Sequence, residues 1–402
     1  MLKFMCILHN HTGASDHYDI KYTAPKGKIC RIPRFFKPVL HTSSKVYFIC
    51  GICLTEWEKY VKLSVNRRLF KNVGFCVLER GDMMNGLLLG TGIAAGVVAL
   101  AAAGSTAGAF KLFNKVIPRQ DGVKVNMNEM ADAQKWEEYK KSIGPKKEYL
   151  LAQTCQHITI KSRDGLTLHG DYFPANEPAD RVAICFHGYT SNRMANASFA
   201  SFLHKQGISC LLVDNRAHGD SEGQYIGFGI LDRYDCLSWI DHMNNMLEGK
   251  ARFMLYGVSM GASTALMTIG MDECPDNVEL VVADCGFTSP YDVFAHVLKK
   301  DYKMSEFPVM NINDVICRKK AGYGFKDCST LDTLKKAKCP VLFIHGKNDN
   351  FVPVWMSGKN FDVCSSEKDI LLVENAGHGA SYYENSELYE SKVSKFIDKY
   401  FK

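Results

Sequence analysis

The chain has 402 residues, 46% of them hydrophobic and 23% charged, with a formal net charge of +6. That length allows two average domains or one large α/β unit, and the composition excludes a disordered chain. The charge is mild and scattered rather than gathered in a stripe, which argues against a nucleic-acid-binding surface.

Fifteen cysteines occur without regular spacing, singly inside apolar runs, as at Cys185 and Cys210. This pattern reads as small buried hydrophobes in a reducing compartment, not as a disulfide framework. Cys50 and Cys53 form a close pair with no second pair at metal-ligand spacing, so zinc binding there has little support.

Residues 1–82 show no sustained helical or strand period and no glycine-loop motif, and read as an irregular extension. Glu79-Arg80-Gly81-Asp82 can be encoded by a purine-rich stretch resembling a bacterial ribosome-binding site, which suggests a natural start at Met83 or Met84. A genuine irregular extension is the alternative. Leu87 to Phe110 then runs for 24 residues without a charge, enough to cross about 30 Å of hydrocarbon as a helix. The expectation is a single-pass membrane anchor over residues 83–110. A cleaved signal peptide ending at Ala107-Gly108-Ala109 and a soluble helix are the alternatives. Lys111, Lys115 and Arg119 follow the segment, which places the C-terminal domain on the cytoplasmic side. Residues 111–147 form a connector, predicted helical over Val123 to Ile143 with Met127, Met130, Trp136 and Tyr139 on one face and Gly144-Pro145 as its end.

From residue 148 to 402 short apolar runs alternate with helical stretches. His157–Lys161 and Leu166–Phe173 flank Asp164-Gly165, a hairpin turn signal. Val182–Phe186, Ile208–Val213, Phe253–Tyr256, Leu280–Ala283, Val341–Ile344 and Ile370–Val373 are fully hydrophobic, as strands buried on both faces must be. Helices are predicted at Leu231–Met246, Ser259–Gly270 and Ser386–Tyr400. This rhythm implies an α/β fold, a mostly parallel sheet of about eight strands with helices on both faces, whose ligands sit at the carboxyl ends of the strands.

Gly257-Val258-Ser259-Met260-Gly261 follows one strand and opens a helix, the pattern of a nucleophile elbow. A serine hydroxyl is a weak nucleophile near neutral pH and needs a base, itself oriented by an acid. In an elbow fold the order along the chain is serine, acid, histidine. Asp349 follows the strand Val341–Ile344, and His378 follows Ile370–Val373. The candidate catalytic residues are therefore Ser259, Asp349 and His378. Asp284, at another strand end, is the alternative acid. His187, His218 and His345 precede glycines on strand-end loops, where the plain role is to hold loop backbone. An oxyanion needs two backbone donors, assigned to the amides of Met260 and Tyr189.

His187-Gly188-Tyr189, Asp214-Asn215-Arg216-Ala217-His218-Gly219-Asp220-Ser221-Glu222-Gly223, the elbow at Ser259, Asp349 and His378 recur in the order of a known family. The pattern resembles α/β-hydrolases of the serine aminopeptidase and monoglyceride-lipase-like branch, bacterial membrane-anchored members above all. The resemblance covers residues 87–402 and implies esterase, lipase or peptidase activity with no metal or organic cofactor. Where that family carries Arg-Gly-His, this chain has Arg216-Ala217-His218. Phe287 to Lys338 is longer than a simple crossover and carries Tyr291, Phe294, Tyr302, Phe307, Tyr323 and Phe325 among Lys299, Lys300, Lys319 and Lys320. It resembles the lid insertions of that family, an ordinary crossover with a basic face being the alternative.

The expected function is hydrolysis of a carboxylic ester, lipid or short peptide through an acyl-serine. Peptidase, thioesterase or acyltransferase chemistry would use the same residues. A non-catalytic binding protein on the same fold is the alternative of another class.

Overall fold

The computed structural model describes residues 21–23, 29–31, 41–42, 45–46, 104–120, 133–176 and 180–402. It divides into two compact units between Met83 and Met84. In the first unit Lys21–Thr23 pairs antiparallel with Ile29–Arg31, and His41–Thr42 with Lys45–Val46. Cys50 and Cys53 lie outside the described residues.

The second unit is built on an eight-stranded sheet. Its strands are β1 (Gln156–Lys161), β2 (Thr167–Phe173), β3 (Arg181–Phe186), β4 (Ser209–Val213), β5 (Arg252–Val258), β6 (Val278–Asp284), β7 (Val341–Gly346) and β8 (Lys368–Val373). Their order across the sheet is β8-β7-β6-β5-β3-β4-β2-β1. Only β2 runs against its neighbours; β3 to β8 are parallel. The turn between β1 and β2 closes at Gly165, whose φ of +88° suits glycine.

The apolar runs have no polar face because both faces are covered. Val182, Ile184 and Phe186 of β3 point to one face with Leu211, Val213, Phe253, Leu255, Val341 and Phe343. Ala183, Cys185, Cys210, Leu212, Met254, Tyr256, Leu342 and Ile344 point to the other. Helices at Asp232–Met246 and Met260–Thr268 cover the first face through Trp239, Ile240, Met243, Ala265 and Leu266. Helices at Ala133–Leu151, Ala197–Lys205 and Ser386–Tyr400 cover the second through Leu150, Phe199, Leu203, Tyr389 and Val393. Each fully buried large side chain stabilises the fold by about 1.5–3 kcal/mol. We label these helices, with residues 104–116 (α1) first, as α2 (Ala133–Leu151), α3 (Ala197–Lys205), α4 (Asp232–Met246), α5 (Met260–Thr268) and, after those introduced below, α9 (Ser386–Tyr400).

Two expectations for the N-terminal side are corrected. The connector helix does not stop at Gly144-Pro145: α2 runs through them to Leu151. A proline inside a helix costs about 3 kcal/mol. Burial of Tyr139 and Ile143 before it and Leu150 after it offsets that cost. Met127 and Met130 lie outside the described residues.

The apolar segment ending at Phe110 does not end as a membrane span. Its last residues belong to α1, which buries Ala109 and Phe113, with Ile117 just after it, against the rest of the second unit. Among the described residues no helix is long and apolar enough to cross a membrane. Residues 87–103 lie outside them.

Between β6 and β7 the chain forms α6 (Pro290–Asp301) and α7 (Val309–Ala321). Helix α8 (Trp355–Val363) follows β7. Val293, Leu298, Met310, Ile316, Tyr323 and Phe325 from the β6–β7 insertion form a third cluster with α1, Phe228 and Met260, the residue after the elbow serine. The insertion therefore lies over the carboxyl ends of the central strands. None of the ten cysteines in residues 133–402 is bridged, and nine of them are buried.

Candidate active site

The elbow is set by two close approaches. A Cβ at Gly257 would lie 2.2 Å from the carbonyl carbon of Gly261, and one at Gly261 would lie 2.2 Å from the oxygen of Phe186 in β3. No side chain fits either gap, so α5 can begin directly above the sheet only with glycine at both positions. Between them Ser259 has φ +54° and ψ −112°. That conformation costs a non-glycine residue about 1–3 kcal/mol and persists only where surrounding bonds over-determine it. Here the Ser259 amide donates to the Asp284 oxygen at 2.8 Å and its carbonyl accepts from Ser263 at 3.0 Å. The hydroxyl stands at the positive end of α5.

The loops after β7 and β8 meet this serine. His378 Nε2 lies 2.9 Å from Ser259 Oγ, and His378 Nδ1 lies 2.7 Å from Asp349 Oδ2. All three residues are 5% exposed. The other oxygen of Asp349 accepts from the amides of Phe351 and Val352, each at 2.9 Å. Burial by itself would raise the Asp349 pKa. The charge on His378 and the hydrogen bonds from His345 and His378 outweigh that and hold it below the ordinary carboxylate value. A permanently ionised acid fixes the imidazole as the Nδ1–H tautomer, leaving Nε2 free to accept the serine proton. The Phe351 ring packs on the His378 ring with centroids 5.0 Å apart.

The rival residues have other partners. Asp284 is buried and accepts from the Ser381 hydroxyl at 3.0 Å. Burial lifts its pKa to about 6, with the charges of His345 and His378 and the Ser381 bond pulling the other way. His345 accepts a hydrogen bond from the Ser357 hydroxyl at Nδ1 (2.6 Å) and donates from Nε2 to the Val352 oxygen (2.8 Å), 3.2 Å from Asp349. It holds the loop that carries Asp349. His187 and His218 accept from the amides of Asn215 (3.1 Å) and Thr190 (3.2 Å). Burial pushes His187 down to about 3, so it stays a neutral acceptor. These three histidines hold loop backbone.

Tyr189 and Met260 flank the serine, and neither amide is committed to a backbone acceptor in the described turns and loops. Gly188 comes within 3.6 Å of the Ser259 side chain, measured from where its Cβ would stand. Two amides at such a point can receive an oxyanion. Sequence reasoning missed what the Tyr189 side chain does. Its hydroxyl, kept protonated by burial that raises its pKa to about 12, donates to the Val116 oxygen at 3.1 Å. This ties α1 to the loop after β3. No local signal marks that contact, because 73 residues separate the partners.

In the motif from Asp214 to Gly223, Asp214 accepts from the amides of Arg193 (2.7 Å) and Asp220 (2.9 Å) and pairs with the Arg193 guanidinium. Arg216 is held by Asp235 at 2.6 Å and Asp164 at 2.9 Å. Ala217, where glycine is the usual residue, has φ +58°. The left-handed backbone costs about 1–2 kcal/mol. Part of that is offset by its methyl, which is buried in the third cluster and contributes about 0.8 kcal/mol.

Comparison with known proteins supports the fold at the level of superfamily. An uncharacterized protein of Bacillus subtilis, YqkD, is 28% identical over 241 residues, 60% of this chain and 78% of that protein. The Arabidopsis thaliana α/β hydrolase domain-containing protein WAV2 is 22% identical over 254 residues, 61% of this chain and 79% of its own. Among solved structures, the Pyrococcus furiosus esterase Pf2001 superposes with a TM-score of 0.51 at 23% identity, over 63% of this chain and 93% of the esterase, a likeness of fold. Residues 200–402 match the sequence profile of the prolyl oligopeptidase family. With its α/β-hydrolase fold, the chain belongs to that family and is a serine hydrolase.

Proposed function

We propose that this hydrolase cleaves carboxylic esters through an acyl-serine intermediate. Ser259 attacks the carbonyl, His378 takes its proton and returns it to the leaving alcohol, and Asp349 orients the imidazole and stabilises its cation. The amides of Met260 and Tyr189 receive the oxyanion, and water then releases the acid. The observation that carries this reading is the unbroken line from Ser259 Oγ to His378 Nε2 (2.9 Å) and from His378 Nδ1 to Asp349 Oδ2 (2.7 Å).

An apolar acyl group is favoured by the wall beside Met260, which is built from Phe228, Phe287, Val352 and Met356 with Tyr189, Phe294 and Phe351 packed against it. Residues 287–338 act as a lid over this wall. The match to the prolyl oligopeptidase family favours a second reading, cleavage of short peptides by the same residues. Fluorophosphonate labelling of the native protein and of Ser259→Ala, followed by a series of p-nitrophenyl esters against aminoacyl anilides, tests both. Labelling that survives in Ser259→Ala would sink the assignment of the nucleophile. Faster turnover of the anilides would move the substrate class to peptides.

A membrane attachment through residues 87–103, with the hydrolase unit on the cytoplasmic side, is proposed on the uncharged sequence of that segment. About 17 residues is the short limit for a crossing helix. Exposed Phe110, Met304 and Phe307 near the same end of the unit would sit against the interface. Flotation with anionic vesicles checks it, and a protein that stays in the dense fraction rejects it.

A further inference from the structure

Cys285, the residue after β6, has no part in the chemistry above. It is fully buried, and its φ of +47° is a left-handed conformation costly for a cysteine. Its amide donates to the Ile344 oxygen at 2.8 Å, which holds the turn. The turn brings its sulfur to the triad: Cys285 Sγ, a carboxylate oxygen of Asp349 and a ring nitrogen of His378 all lie within 4.8 Å of one another. Burial, with the Asp284 and Asp349 charges beside it, pushes the thiol well above its ordinary pKa, so in the metal-free protein the sulfur is a protonated thiol.

We infer that Cys285, Asp349 and His378 form a site for a thiophilic divalent cation, Zn²⁺ foremost, whose occupation switches the hydrolase off. One sulfur, one imidazole and one carboxylate are the donor types that Zn²⁺ takes, and a tetrahedral ion sets such donors about 3.4–3.6 Å apart. His378 Nδ1 and Asp349 Oδ2 now stand 2.7 Å apart, joined by a proton. Opening that pair and drawing in the sulfur, which now lies within 4.8 Å of both partners, would bring the three donors to that spacing. Asp349 Oδ1 keeps its two amide bonds meanwhile. A water fills the fourth position.

The proton accounting explains the inhibition. The thiol of Cys285 releases its proton to solvent and binds as thiolate. His378 gives the metal the lone pair of Nδ1, so the single proton of the neutral ring moves to Nε2. Nε2 then donates toward Ser259 instead of accepting from it, and the hydroxyl loses its base. The metal site and the proton relay are mutually exclusive uses of one imidazole. This inhibitory consequence rests on the reading of Ser259 and His378 given above, whereas the binding of the ion does not.

The test uses the full chain, in native form and as Cys285→Ser and Cys285→Ala, each compared with its own zinc-free rate. Ester hydrolysis is measured across chelator-buffered Zn²⁺, and bound metal is counted by equilibrium dialysis. The thiolate-to-metal band with Co²⁺ provides a third readout. The expected result is inhibition of the native protein with an apparent constant at least tenfold lower than in either variant. One Zn²⁺ per chain and the cobalt band should disappear with the thiol. Equal inhibition of all three proteins, or a metal count unchanged by both substitutions, overturns the inference. A native protein inactive on every ester that still loses one Zn²⁺ with Cys285 supports the site while rejecting the ester reading.

Discussion

Replacing Asp349 with asparagine gives the sharpest test of the relay, because it changes charge and donor count and keeps shape. Four N–H groups converge on this carboxylate: the amides of Phe351 and Val352 at 2.9 Å on one oxygen, His378 at 2.7 Å and His345 at 3.2 Å on the other. A carboxamide has one acceptor oxygen. The two amides claim it, since they are fixed backbone, and the NH₂ then faces His378. Nδ1 must become an acceptor, the ring proton moves to Nε2, and Nε2 confronts the Ser259 hydroxyl at 2.9 Å as a donor. Loss of the base by this route costs about 10⁴ in kcat, or about 5 kcal/mol of transition-state stabilisation. The His345 N–H facing an NH₂ adds about 1–3 kcal/mol of lost folding stability, though its bond to the Val352 oxygen (2.8 Å) limits the damage. Steady-state hydrolysis of a p-nitrophenyl ester and urea unfolding of the same preparation measure the two effects separately. A folded Asp349→Asn variant within tenfold of native kcat would refute the relay.

The other predictions concern the elbow and the acid beneath it. Gly261→Ala places a methyl 2.2 Å from the Phe186 oxygen and 2.6 Å from its carbon, both backbone atoms that cannot rotate away. The start of α5 must lift from β3, and the expected loss is about 3 kcal/mol in urea unfolding together with slower fluorophosphonate labelling. Native values for both would remove the close-approach argument. Asp284 has a folded-state pKa of about 6 against an ordinary value of 3.8. Being raised, it favours the folded state only while protonated, so stability declines as pH rises from about 4 to about 6, by about 3 kcal/mol, and is level above that. Asp284→Asn keeps the acceptor for Ser381 and should flatten that decline. An unchanged pH dependence of the urea midpoint would show that this carboxyl is not the source.

Much of the catalytic unit was legible because parallel strands covered on both faces leave fully apolar runs; all six of those became strands, and the two runs flanking Asp164-Gly165 became the hairpin β1–β2. The carboxyl ends of those strands also announced Ser259, Asp349 and His378 as candidates, since loops there share one edge. The choice between Asp349 and Asp284 was not local. Both end adjacent strands, and only the path of the loop after β7, held by His345 and two amides, aims one of them at Nδ1.

By itself the sequence determined the alternation of strand and helix, the glycine-bracketed elbow and the order of the polar residues, because each depends on neighbours a few positions away. Tertiary structure alone decided the rest. It carried α2 through Pro145, laid α1 on the hydrolase unit with Val116 accepting from Tyr189, and turned the Cys285 sulfur toward Asp349 and His378. Those outcomes depend on surfaces far apart in the chain, 73 positions in the case of Tyr189 and Val116. Burial against such surfaces outweighs a local preference of a few kcal/mol, and no pattern within one segment records it.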